Sequence, residues 1–279
     1  MRFSRRGLVL LLPAILLMAV FVLSVALLGL RSLQGPGGLG LGVYAGIFAR
    51  PDYVDTLGRT VWLALLTTLC SIVVGYPLAH CIARAKRFQA LLTVLVILPW
   101  MVSVVVRTYG WVVILGNRGT LNSLLMWLGI TDAPVRMLFN QVGIVVGLVH
   151  VFCPFMILSI LAVMQQLPRS LEEAAMSLGA GPIGTFLRVT LPLTAPGLIS
   201  GSAIVFLLST GAVVTPLLLG GPRDPMLAMQ VYQDVFNLFN FPRAGALAFV
   251  LMGMALLATL PLQWVERRLR RRLPSAEAR

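Results

Sequence analysis

Charge is scarce in this sequence: only 11% of its 279 residues are Asp, Glu, Lys or Arg, and just 9 are acidic. A water-soluble domain of this size covers itself with polar side chains, so a chain that is 58% hydrophobic with a mean hydropathy of +0.94 has the bilayer as its solvent. Cysteine is also sparse. Cys70, Cys81 and Cys153 lie inside apolar runs without CxxC spacing, which excludes a disulfide framework or a zinc knuckle. His150 and Cys153 share a helix face, but two such groups without a carboxylate make no metal site and are expected to pack in the bundle. No GxxxxGK[ST] phosphate loop occurs, so the chain is not itself expected to hydrolyse ATP. Nor is a nucleophile matched to a base, which argues against an enzyme, and no cofactor is expected. "GPGGLG" (35–40) spells GxGxxG, yet it follows an apolar span instead of a strand and reads as an outer loop.

What the chain has in quantity is apolar length. Six runs are long enough to cross about 30 Å of hydrocarbon at about 1.5 Å per helical residue: 7–30, 60–83, 89–106, 141–164, 196–219 and 244–265. The first lacks an A-x-A cleavage site and reads as a retained span. The formal charge of +13 comes in short basic clusters beside these runs, without a groove-reading motif, which excludes nucleic acid as the partner. With the N-terminus in the cytoplasm, the inner side collects Arg2, Arg5, Arg6, then Arg84, Lys86, Arg87, then Arg169 and Arg188, and finally the "ERRLRRR" tail that can meet anionic lipid. Both termini are then cytoplasmic. None of the six spans contains an Asp or Glu, and no inverted repeat is evident. A self-sufficient channel or an ion-coupled secondary transporter is therefore the weaker reading.

Two adjacent carboxylates interrupt this apolar text on the cytoplasmic side, in "SLEEAAMSLGAG" (170–181). Ser170 and Glu173 have the spacing of a capping box, and Glu172 and Glu173 both stand at the positive end of a helix dipole. Leu171, Ala174, Ala175 and Leu178 form one apolar stripe. Gly179 stands where a helix C-terminus needs positive φ, and Pro182 suits the first turn of a second helix that leads through Leu191 and Pro192 back into the membrane. The alanines are poor membrane anchors and good surfaces for close contact.

Glu173, Ala174, Ala175, Gly179, Leu191 and Pro192 together resemble the EAA loop of binding-protein-dependent ABC importer permeases: E-A-A, three residues, G, nine residues, then I-x-L-P, with Val189 in place of the isoleucine. "RTYGWVVILGNRGTLNSLLMWLGI" (107–130) and "TPLLLGGPRD" (215–224) are similar to outer segments of the spermidine/putrescine permease branch. The resemblance implies an all-α membrane protein with six transmembrane helices in the type I importer fold. It implies three regions: 1–55, an N-terminal helix and outer loop; 56–265, the permease core with a coupling loop at 168–192; and 266–279, a basic tail. It also implies a bacterial inner-membrane location and a set of partners: cytoplasmic ABC ATPase subunits docked on the loop, a second permease subunit and an extracytoplasmic solute-binding protein. Arg107, Tyr109, Trp111 and Thr215 fall in segments expected to line the solute pathway or its gate, although Arg107 also has the position of an interfacial arginine beside an aromatic belt. Putrescine or spermidine is the first expectation for the solute. Leu217 stands where polyamine permeases often place an acid before "LLGG", so an opine, an amino-acid derivative or a phosphonate is the alternative.

Overall fold

The computed structural model describes residues 5–35 and 38–272. Arg2, the middle of the 35–40 glycine segment and the end of the basic tail (273–279) lie outside the described residues. Among the described residues the regular structure is helical apart from an antiparallel ribbon of two residues a side, in which β1 (Gln34–Gly35) pairs with β2 (Gly38–Leu39).

Helix α1 (Arg5–Ser32) lies on the outside of the bundle, and its apolar window has no buried residues, as lipid contact requires. After the short α2 (Gly42–Phe48), Pro51 opens α3 (Pro51–Arg84) at a position where its missing N–H is no loss. At 34 residues, α3 is about 51 Å long and so projects beyond the hydrocarbon. It starts well before the run at 60–83, because hydropathy detects the lipid-soluble part of a helix and not its wet extension.

Helix α7 (Gln141–Met164) has the bounds expected from its apolar run, and the Asn140 side chain caps it by accepting the Gly143 N–H at 3.0 Å. Apolar on every side, it is the central helix, with α3 and α10 (Leu191–Thr210) packed against it. Small residues set the spacing. A Cβ at Gly197 would come within 2.6 Å of the Ser159 carbonyl, and one at Gly201 within 2.9 Å of the Met156 sulfur. Tyr76, Ala79, Met156, Ile160 and Val205 fill the contact, where Cys153 is also buried. The Tyr76 and Thr194 hydroxyls bond across it at 2.7 Å.

Two further spans depart from the run that suggested them by more than an extension. The run at 89–106 is not one helix: α4 (Gln89–Met101) ends, Val102 becomes extended, and α5 (Val104–Leu115) sets off at 92° with α6 (Thr120–Trp127) behind it. The run at 196–219 overshoots. Its helix begins earlier, continuous with the loop from Pro182, and stops at Thr210, where Gly211 breaks it before α11 (Val214–Leu219). The chain closes with α12 (Leu227–Phe236) and the long α13 (Phe241–Arg272). Thr60, buried on α3, accepts the Leu227 N–H at 2.9 Å, and Asp234 on α12 holds the Arg243 guanidinium through both oxygens, its Nε at 2.8 Å. Among the described residues there are thus five helices long and apolar enough to span, and six spans when the bent pair counts as one.

Candidate functional site

Between α7 and α10 lies the helix pair read from the sequence. α8 (Ser170–Ser177) ends at Gly179, whose φ is +88°. The Ala180 N–H reaches the Ala175 carbonyl at 3.1 Å and the Gly179 N–H the Met176 carbonyl at 3.0 Å, the two bonds of a Schellman turn. Pro182 opens α9 (Pro182–Thr185). The chain then widens into a π-turn over Phe186–Thr190, with the Leu191 N–H donating five residues back to Phe186. Pro192 explains the widening: it brings no N–H to the ladder, and its ring crowds the carbonyl four residues earlier.

The start of α8 differs from the expectation. No capping box forms. Arg169 occupies the cap position in helical geometry without a side-chain bond, and the Glu173 N–H, which Ser170 would have capped, already donates to the Arg169 carbonyl at 3.1 Å. Glu173 is exposed, as are Ala174, Leu178 and Ile183, whereas Ala175 is half-buried. The structural partner is instead Glu172. Its Oε2 accepts Arg84 Nη2 at 2.7 Å and its Oε1 accepts the Thr190 hydroxyl at 2.7 Å, while Arg169 Nη2 reaches the Arg84 carbonyl at 3.4 Å. One carboxylate thereby ties α8 to the end of α3 and to the π-turn. Phe186 adds edge-on ring contacts to Tyr76 at 5.4 Å and His80 at 6.2 Å. A cavity of about 600 Å³ opens beside this brace, lined by His80, Arg84, Lys86, Arg169, Glu172 and Glu173 among others.

Sequence reasoning missed Glu172, Arg84 and Thr190. Glu172 and Glu173 are 100° apart on a helix, so which of them turns inward depends on a neighbour 88 residues away in sequence. The available signal was Arg84 itself, a cation at the same membrane side as the acidic pair.

The residues expected along the pathway separate into two groups. Trp111 on α5 donates from Nε1 to His150 Nδ1 on α7 at 3.0 Å, with the rings edge-on. Thr215 on α11 is buried and lies 3.4 Å from the Thr108 hydroxyl; because Thr108 already donates to the Val104 carbonyl, Thr215 is the donor there. Gly147 permits this: a Cβ there would stand 2.6 Å from Thr215 Cγ2. Arg107 is on the face of α5 that carries Trp111, one turn earlier; its Nε and Nη1 are buried while the residue as a whole is part-exposed. Tyr109 is 55% exposed and shares none of these contacts.

A bundle of helices long and apolar enough to span a membrane, packed at small-residue contacts, with one span broken at 92° and a braced helix–turn–helix outside the bundle, defines a multi-pass membrane protein. The family described as binding-protein-dependent transport system inner membrane component matches residues 71–273, and the chain belongs to that family. It is 34% identical over 211 residues to the spermidine/putrescine transport system permease protein PotB of Escherichia coli, covering 74% of this chain and 77% of that protein. It is 32% identical to the inner membrane ABC transporter permease protein YdcU of the same organism, covering 78% and 72%. In fold it resembles a chain of a bacterial alginate ABC transporter crystallised with an alginate pentasaccharide-bound periplasmic protein, with a TM-score of 0.75 at 21% identity over 94% and 93% of the two chains. A chain of the MetNI methionine ABC transporter aligns with a TM-score of 0.55 at 18% identity over 79% and 99%. The fold is the type I importer permease fold, and the chain is a permease subunit of an ABC importer.

Proposed function

We propose that the chain forms one half of the membrane pathway, alongside a second permease subunit, and receives its solute from an extracytoplasmic binding protein. ATP is hydrolysed by separate ABC ATPase subunits that seat on the loop at 168–192. The observation carrying this reading is the α8–turn–α9 pair: braced at its base by Glu172, it presents Leu178 at 89% and Ile183 at 76% exposure, apolar side chains that a partner groove would cover. Ala174 and Ala175 permit close approach, Gly179 sets the turn, and Leu191 and Pro192 start the return helix; Glu173 lies on the docking side. We divide the chain into an N-terminal helix with its outer loop (1–55), the core (56–265) and a basic tail (266–279), with α3 entering the core from Pro51. Alternating access in such a bundle requires that ATP bind one arrangement of the pathway better than the other.

The solute we propose is a small amine-bearing organic compound. Support comes from relatives named for spermidine and putrescine, which are polyamines. Reconstitution in proteoliposomes with the ATPase, the second permease and the binding protein should give uptake that requires both ATP and the binding protein. Uptake by this chain without ATPase subunits would instead mark a self-sufficient transporter. Titrating the binding protein with putrescine, spermidine and amine-free solutes then tests the solute class, and binding of the amine-free solutes alone would remove it.

Orientation rests on the basic clusters at Arg84, Lys86 and Arg87, at Arg169 and Arg188, and after Glu266, where Arg268 lies over the Trp264 ring at 3.5 Å. In intact cells, an impermeant thiol reagent should label Pro222→Cys and leave Ser177→Cys unlabelled until the membrane is opened. The reverse pattern would invert the topology.

A further inference from the structure

Arg107 sits on the first turn of α5, just past the 92° bend, and its Nε and Nη1 are buried with no hydrogen-bond partner among the described residues. The residue is part-exposed, but two of its charged N–H donors are withdrawn from water without an acceptor, which is costly, so they imply an acceptor that arrives from outside the chain. The carboxylates that pack in the described structure are engaged elsewhere: Asp234 with Arg243, Glu172 with Arg84, and Asp224 with Gln141.

The surroundings add donors instead of acceptors. His150 on α7 meets α5 at Trp111, one turn beyond Arg107. Its Nδ1 accepts the Trp111 indole proton, so the neutral imidazole carries its own proton on Nε2 and presents a donor there. The Thr108 hydroxyl donates to Val104 and accepts from Thr215, which leaves it committed. Trp111, four residues after Arg107, fixes both the ring orientation and the tautomer of His150. The α5–α7 contact thus combines a cation on α5 with an oriented neutral donor on α7.

We propose that Arg107 and His150 Nε2 bind a carboxylate carried by the solute in transit. This rests on the permease reading above and narrows its solute class: an amine-bearing compound that also has an acidic end, an amino-acid-like solute in place of a pure polyamine. A guanidinium pairs with a carboxylate through two parallel N–H donors, and that geometry is unavailable to an ammonium group, which a lone cation repels. Trp111 is a positioning partner, because its bond to Nδ1 holds the ring and tautomer that put the second donor on Nε2.

The test uses the assembled permease–ATPase complex in nanodiscs, without the binding protein, and two four-carbon probes that differ only at one end, putrescine and γ-aminobutyrate. Equilibrium dialysis with radiolabelled probes should show γ-aminobutyrate bound on the order of tenfold or more tightly than putrescine. Arg107→Gln should erase that preference. Arg107→Lys, which retains charge without the fork, should retain part of it. Size-exclusion profile and basal ATPase rate report separately whether each variant assembles. Putrescine binding as well as or better than γ-aminobutyrate, failure of γ-aminobutyrate to bind, or a preference unchanged in both Arg107 variants overturns the proposal. So does an Arg107→Gln complex that loses its second permease subunit but retains the preference in the fraction still intact, since the acceptor would then belong to the partner. Failure of the permease reading would be visible independently, as uptake without ATPase subunits.

Discussion

Gly179→Val should abolish ATP-driven uptake while the chain still inserts in the membrane at its normal level. At φ +88° a side chain is strained by its own backbone, at about 1–2 kcal/mol, and a β-branched one more. Nothing lies within 4 Å of a Cβ built there, so the penalty is torsional and not a clash. Its consequence is large because α8 has only 8 residues, far too short to persist by propensity. The turn that closes it through Met176 and Ala175 is part of what holds it. Asparagine, which tolerates the left-handed region, should retain the most activity, alanine less and valine none. Glu173→Ala should be milder than any of these, because its carboxylate caps nothing. Uptake in proteoliposomes and co-purification of the ATPase provide the two readouts. Wild-type uptake by the valine variant would show that the turn is dispensable.

Reversing either member of the brace should uncouple ATP hydrolysis from transport. In Glu172→Arg, a guanidinium faces Arg84 and the Thr190 hydroxyl loses its acceptor; in Arg84→Glu, two carboxylates meet. Arg84 is more than half exposed, so the ion pair alone contributes about 1 kcal/mol or less. Together with the Thr190 bond, the loss is about 1–2 kcal/mol, enough to shift the seated fraction of α8 roughly five- to thirty-fold. Uptake should fall by a comparable factor while basal ATPase activity persists, and the double reversal should recover part of it, because the ion pair returns but the Thr190 hydroxyl still lacks its acceptor. A double variant no better than its parents would mean that the two residues act separately.

The turn at Gly179 and the opening of α9 at Pro182 were legible because their causes are local: a glycine where φ must be positive and a proline where an N–H is not needed. The failed capping box shows the limit of the same reasoning. Ser170 and Glu173 have the right spacing, but Pro168 and Arg169 enter already in a turn and their carbonyls take the amides first. At Arg107 the sequence suggested both an interfacial arginine and a pathway residue, and no pattern along the chain states whether an acceptor waits across the bundle.

By itself the sequence determined the solvent, the helical class, the long apolar runs and the braced loop's turn. Each of those follows from the transfer free energy of a run or from the backbone preference of one residue. Tertiary structure alone decided that the run at 89–106 bends by 92° at Val102, since hydropathy is the same for a straight helix and a broken one. It also decided that Glu172 faces Arg84, that Thr215 meets Thr108 over Gly147, and that two buried Arg107 donors find no partner among the described residues. The partners in these contacts stand 88 and 107 residues apart, and only the close packing of α3, α5, α7 and α11 with the loop brings them within reach.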